Sequence, residues 1–287
     1  MSIVNSAKKK ASIKTMSIGT KIVTWFCLIW ALVVALVPFI WLIISSFKKD
    51  PLARPGFQLP DAICLDGYIS TFRDLHVFRY FGNSLWIAGI SVVISVVAIS
   101  MSAYVVARME FAGKKLVNAM LYSTMFIPAT ALTYPVYNLV NRLGLYNTRW
   151  ALILIYSCSG IAVSFFIIKN YYDNVPGELE EAARIDGCGY IQTWARVIFP
   201  IARPGIMTAA VLAFLNNWNE YYWASLVVID RQKLTVPALL STFTTSFRTN
   251  YNGLFSAMVV IILPPIILYC VFSRFFVEAL SGGAVKG

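Results

Sequence analysis

Polar positions in this chain gather into short clusters, and the stretches between them are long and apolar. Uncharged runs cover Ile22–Phe47 (26 residues), Tyr80–Ala107 (28), Leu116–Asn141 (26), Trp150–Ile168 (19) and Thr249–Ser273 (25). A helix needs roughly 20 apolar residues to cross about 30 Å of hydrocarbon, so each of these five stretches can span a bilayer. A sixth, Pro204–Ile229, is interrupted only by Glu220. The pattern predicts an all-α polytopic membrane protein with six spans, at about 22–47, 80–107, 116–141, 150–171, 204–229 and 251–275. They form one transmembrane domain over 22–287, preceded by a basic tail, 1–21. Loops at 48–79 and 230–250 fall on one side, and a loop at 172–203 on the other.

Composition agrees: 59% of the 287 residues are hydrophobic and the mean hydropathy is +0.70, which excludes a soluble domain. The net charge of +11 invites a nucleic-acid reading, but the charges are confined to loops, so topology explains them and nucleic acid is not an expected partner. With the N-terminus inside, 14 of the 24 Lys and Arg residues are cytoplasmic; the bias rests mainly on the N-terminal cluster, which usually dominates orientation. The first apolar run is too long for a cleavable signal, and no A-x-A-like site follows it. Cys27, Cys64, Cys158, Cys188 and Cys270 show no metal or redox spacing, and His76 is the single histidine, so no metal site is expected.

Residues 177–200, GELEEAARIDGCGYIQTWARVIFP, form the longest polar interruption in the C-terminal half. Pro176 suits a helix start, and Glu178, Glu180 and Glu181 place negative charge at the positive end of the helix dipole. Glu180 and Arg184 have the spacing of a pair on one helix face. Asp186-Gly187 reads as a turn, and a second helix from about Tyr190 to Val197 is expected to stop before Pro200. Such a helix–bend–helix suits docking to a protein, with Ala182 and Ala183 at the contact; it also suits an amphipathic segment on the headgroups.

Glu181-Ala182-Ala183, followed by Gly187 and Pro200, resembles the EAA loop of permease subunits in ATP-binding-cassette (ABC) importers. The family has Ile and Leu where this chain has Val197 and Phe199, and both stay apolar. Asn83-Ser84, Ser102-Ala103-Tyr104, Arg108 and Phe111-Ala112-Gly113 resemble a run of the sugar-type permeases, and the closing GAVKG is similar to the maltose and multiple-sugar subfamily. The resemblance extends from about Asn83 to the last residue. It implies a type I importer permease fold with both termini cytoplasmic, in a bacterial cytoplasmic membrane. It also implies a second homologous permease, two ABC ATPase subunits and an external solute-binding protein. The coupling loop to the ATPase would use Glu181, Ala182, Ala183, Asp186, Gly187, Val197 and Pro200. The external loop after span five would meet the binding protein through Ser241, Thr244, Ser246 and Thr249.

This chain lacks a phosphate-binding loop: the nearest candidate, Gly113-Lys114-Lys115, has Arg108 in place of the first glycine and Lys115 in place of the hydroxyl. No cofactor is therefore expected on it, with ATP and Mg held by the partner ATPases. An ion-coupled carrier would need a buried titratable residue, and Glu220, among aromatics near the outer surface, suits an interface role better than a proton relay. No cluster suited to intramembrane catalysis lies in the spans. Sugars are recognised by aromatic stacking and hydroxyl-directed hydrogen bonds. Tyr134, Tyr137, Asn138, Asn216, Trp218, Asn219 and Glu220 are the candidates for a translocation path, each equally suited to packing. Glycerol-phosphate importers share the pattern and stay open as an alternative. Pro128 and Pro135 bend span three, either at a gated cavity or as a packing kink. Residues 230–253 mix apolar and hydroxylated residues, which suits either an interaction loop or a re-entrant segment packed on the bundle.

Overall fold

In a computed structural model, residues 17–53, 55–74, 76–243 and 250–284 are described; they form helices and connecting turns, with no strand among them. Three helices are long and apolar enough to cross a membrane unaided: α1 (Ile18–Ser46), then α3 (Val77–Arg108) after the short α2 (Asp66–Ile69), and the first 22 residues of α14 (Tyr251–Ala284). Three more crossings exist if bent pairs count as single spans. α4 (Lys114–Thr124) turns by 100° into a 3-10 turn and α5 (Thr133–Arg142). α6 (Arg149–Ser157) turns by 47° into α7 (Ile161–Asp173). The segment 190–201 turns by 82° into α11 (Arg203–Trp218).

Each bend has a local cause. Pro128 sits extended at ψ 132°, ahead of the 3-10 turn Ala129–Leu132, and breaks span three. Pro135 does not bend the chain: it occupies the first turn of α5, where a missing N–H has no intrahelical partner to lose. Gly160, at φ +65°, adopts the left-handed conformation that separates α6 from α7. The span expected at 204–229 is also two helices, since α11 stops at Trp218 and α12 (Tyr222–Val227) restarts after three residues. At 16 residues α11 measures about 24 Å, too short to cross alone.

α3 is the mast of the bundle. Its buried residues contribute to two separate cores, called here upper and lower, the lower being at the end that carries residues 178–201. In the upper core, Val77, Tyr80 and Ile87 pack with Leu152, Tyr156, Trp218, Val227 and Leu239. In the lower, Ile99, Ala103 and Tyr104 pack with Phe165, Ile168, Tyr172 and Ile198. Hydroxyls knit the helices together: Ser91 donates to the carbonyls of Ile87 and Ile153, and Ser157 returns a bond to the Ser91 carbonyl. α11 lies so close to α7 that a Cβ on Gly205 would fall 2.2 Å from the Tyr171 ring. α1 stands apart, held to α14 at its upper end, where Asn252 donates to the carbonyls of Ser46 and Lys48 and Trp41 meets Phe255 edge-on. None of its most apolar 18-residue window is buried. A helix apolar on every side needs lipid or another protein around it.

Candidate functional site

Three levels of the bundle bring chemistry-bearing residues together. At the lower end, α8 (Glu178–Ile185) is followed by a tight turn, α9 (Tyr190–Thr193), a π turn at Trp194–Ile198 and α10 (Phe199–Ile201). Gly187, at φ +83°, closes α8 as a Schellman cap: its N–H donates to the Arg184 carbonyl and the Cys188 N–H to the Ala183 carbonyl. The second helix does not stop before Pro200. The π turn, in which the Phe199 N–H reaches back to the Trp194 carbonyl, widens the backbone, and Pro200 becomes the second residue of α10.

Glu180 does not pair with Arg184. It is buried against α3, with its Oε1 2.9 Å from Nε of Arg108, whose guanidinium also donates to the Val175 carbonyl. The Nε–Oε1 contact is an ion pair without hydrogen-bond alignment. Arg184 instead lies over the Tyr190 ring, 5.1 Å from its centre. A buried carboxylate gains more from a sheltered partner than from a solvated one along its own helix. Glu181, Ala182, Asp186, Gly187 and Pro200 are exposed, Val197 is half-buried, and Ala183 is buried within the chain, so of the two alanines only Ala182 is on the surface. Beside them Leu179, Ile185, Tyr190 and Ile191 expose an apolar ridge, with Ile185 85% exposed. The pattern of α8 alone did not single out this ridge.

The Arg108–Glu180 pair ties α8 to the mast, and its removal has a signature. Arg108→Ala leaves a buried carboxylate unpaired, a loss of about 3–5 kcal/mol in such sites. The expected result is a several-fold fall in the amount of folded protein, as is also expected for Arg108→Glu alone. The double exchange Arg108→Glu with Glu180→Arg restores a large part of it. Size-exclusion profiles of the detergent-extracted variants check this; no recovery in the double variant would show that charge pairing is not the bond.

At mid-height, the breaks of three crossings meet. Tyr222 donates to the Thr133 hydroxyl at 3.0 Å, and Asn216 to the Ser159 hydroxyl at 3.1 Å. The buried Tyr156 donates to Glu220 at 2.8 Å. Glu220 is also the cap of α12, accepting from the N–H groups of Trp223 and Ala224. Tyr134 is 75% exposed, Asn216 and Asn219 are exposed, and Tyr137 and Asn138 are half-buried, with Tyr137 packed edge-on against Tyr146. Trp218 differs from these candidates. It is 1% exposed and packed between Phe81 and Phe214, so its ring belongs to the upper core. Thr133, Tyr156 and Ser159 are not among the sequence candidates, because only the meeting of distant breaks makes them neighbours of Tyr222, Glu220 and Asn216.

At the upper end a polar platform carries the segment after α12. Asn147, left-handed at φ +58°, donates its N–H to the Val227 carbonyl and accepts through Oδ1 from Ile229 and Asp230. Its carbonyl accepts from Lys233. Asn83 donates to the carbonyls of Gln232 and Leu234, and the Ser84 hydroxyl accepts from the Val236 N–H. Asp230 sits below the usual carboxylate range, first because the Gln232 N–H binds it and then because of Lys233. Leu234, Val236 and Leu239 then turn inward, α13 (Val236–Leu239) is wholly buried, and Phe243 follows. The apolar content of 230–243 is therefore accounted for inside this chain. Ser241 remains exposed; Thr244, Ser246 and Thr249 lie outside the described residues. A cavity of about 700 Å³ opens between this segment and α14, and it brings Asn219 and Ser241 together.

This arrangement is that of a membrane transport subunit, and the chain belongs to the family described as the inner membrane component of binding-protein-dependent transport systems, whose profile matches residues 95–282. It is 34% identical over 274 residues to the trehalose transport system permease protein SugB of Mycobacterium tuberculosis, covering 94% of this chain and 100% of that one. It is also 34% identical to the arabinooligosaccharides transport system permease protein AraQ of Halalkalibacterium halodurans, over 88% of this chain and 92% of that one. Among solved structures, a chain of a bacterial ABC transporter involved in import of the acidic polysaccharide alginate has the same fold. Its TM-score is 0.79 at 24% identity, covering 91% of this chain and 99% of that one.

Proposed function

We propose that this chain is a permease subunit of an ABC importer for a sugar or oligosaccharide, paired with a second, homologous permease. What carries this reading is the match to sugar-system permeases along nearly the whole chain, on both sides of the helix–turn–helix at 178–201. The lower end then faces the cytoplasm, and α8 with its apolar ridge docks on an ATPase partner, since exposed apolar patches of this kind mark interaction sites. ATP and Mg are handled by two such partners. A binding protein delivers the solute at the upper end, touching Ser241 and the loop beyond it. The two permeases enclose the path between them, and the exposed flank of α1 is covered by lipid or by the second permease.

Affinity purification of the tagged chain from its native membrane tests the assembly. The expected result is recovery with one further permease and an ATPase; recovery of the chain alone would contradict it. Orientation has its own test. A membrane-impermeant thiol reagent should label Cys64 in intact cells and reach Cys188 only after permeabilisation. Labelling of Cys188 from outside would reverse the topology and remove the ATPase contact.

A further inference from the structure

The cavity beside α14 has a chemistry of its own. Its walls are Asn219 and Tyr221 from the break between α11 and α12, Pro237, Leu240 and Ser241 from the platform segment, and Leu254, Met258 and Ile261 from α14. At about 700 Å³ it is within the size range of small-molecule sites, roughly 300–1,000 Å³. The polar groups converge from different elements. Asn219, the residue that follows the last turn of α11, is exposed and lines the cavity. Tyr221 leaves 46% of its surface open. The Ser241 hydroxyl donates to the Ala238 carbonyl, and its oxygen keeps the capacity to accept. The remaining wall is aliphatic.

Among the described residues, none that lines the cavity carries a charge. The neighbouring Glu220 is occupied by Tyr156, Trp223 and Ala224. Two of the platform's described cations are committed: Arg149 holds the Gln232 carbonyl, and Lys233 the Asn147 carbonyl and Asp230, while Arg231 is exposed and is not among the residues lining the cavity. An anion brought here would lose its hydration with no cation among the described lining residues to replace it, which is costly. A neutral polyol ring meets no such penalty. Its polarised C–H face suits the negative face of Tyr221, and its hydroxyls find an amide and a hydroxyl.

We propose that this cavity is a subsite for a neutral sugar ring on this chain, with Tyr221 as the stacking platform and Asn219 and Ser241 as hydrogen-bond partners. The proposal rests on the transport function inferred above and adds to it a location and a charge class. Phosphorylated sugars and uronates are rejected.

The test uses the complete transporter with its partner subunits and binding protein in proteoliposomes. The probes are radiolabelled trehalose, maltose and arabinotriose as neutral solutes, and glycerol 3-phosphate and a diuronate as anions. ATP-driven uptake of at least one neutral probe and of neither anion is expected. Tyr221→Ala should then lower uptake about tenfold and Asn219→Ala about three- to tenfold, as loss of a stacking or hydrogen-bonding partner does. Tyr221→Phe restores most of the loss, and Phe78→Ala, an exposed ring outside the cavity, changes nothing. Stimulation of ATP hydrolysis by the loaded binding protein should fall much less than uptake. Wild-type uptake by Tyr221→Ala and Asn219→Ala would remove the subsite, as would equal losses of uptake and stimulated hydrolysis. Uptake of the anions alone would overturn the neutral assignment and leave the transport reading intact. A wild-type transporter that moves none of the probes would overturn the sugar reading itself.

Discussion

Gly187→Val is expected to abolish transport while the chain still accumulates in the membrane, and Gly187→Asn to keep much of the activity. Gly187 holds φ +83° as the residue that closes α8, and the carbonyls of Ala183 and Arg184 depend on that turn for their partners. An L-residue there costs on the order of 1–2 kcal/mol, and a β-branched one more, whereas asparagine enters the left-handed region comparatively easily. A side chain at 187 meets nothing within 4 Å, so the chain relieves the strain by changing the turn rather than by unfolding. That moves α9 relative to α8 and breaks up the exposed surface formed by Ala182, Ile185, Tyr190 and Ile191. The expected signature is loss of the ATPase from the purified complex, or hydrolysis that no longer responds to the loaded binding protein. Wild-type uptake by the valine variant would leave 178–201 as an ordinary membrane-surface element.

The second large effect belongs to Glu220. Glu220→Ala removes the acceptor of a buried tyrosine and the cap of α12 at once. Stranding the Tyr156 hydroxyl costs about 1–3 kcal/mol, and losing a helix cap about 0.5–2 kcal/mol. α12 begins the route to the platform and the cavity, so uptake should fall at least about tenfold even where the chain still assembles with its ATPase. Tyr156→Phe, which leaves the cap intact, should cost less. Glu220→Gln keeps one carbonyl oxygen, which at the Oε2 position still serves Tyr156 and Ala224, and should retain part of the activity with an unchanged dependence on pH. A proton-coupled carrier would behave otherwise: Glu220→Gln would uncouple it and flatten its pH profile.

Much of the fold is legible in the chain because hydrocarbon thickness sets how long an apolar run must be. Where a crossing breaks is harder to see. Pro128 announces its bend through its own stereochemistry, but the break after Trp218 depends on Glu220 finding Tyr156, 64 residues away in sequence. The same limit explains Glu180. Helix spacing favours Arg184, and only the packing of α8 on α3 reveals that Arg108 is nearer. Residues 230–243 show the converse. Their apolar side chains are visible in the sequence, but whether they face a partner or their own bundle depends on Asn83 and Ser84 of α3 and on Asn147, which pin the segment down from two different places. Trp218 looked equally suited to a sugar path or to packing, and the rings of Phe81 and Phe214 on either side place it in packing.

The central claim is that this chain carries solute through the membrane on energy supplied by ATPase partners, with a binding protein as donor. Uptake by proteoliposomes holding the complete transporter tests it most directly, with a radiolabelled neutral oligosaccharide supplied on its binding protein outside and ATP enclosed within. Accumulation that requires both ATP and the binding protein, and that survives collapse of the proton and sodium gradients, is the expected result. Accumulation driven by an ion gradient without ATP would contradict it.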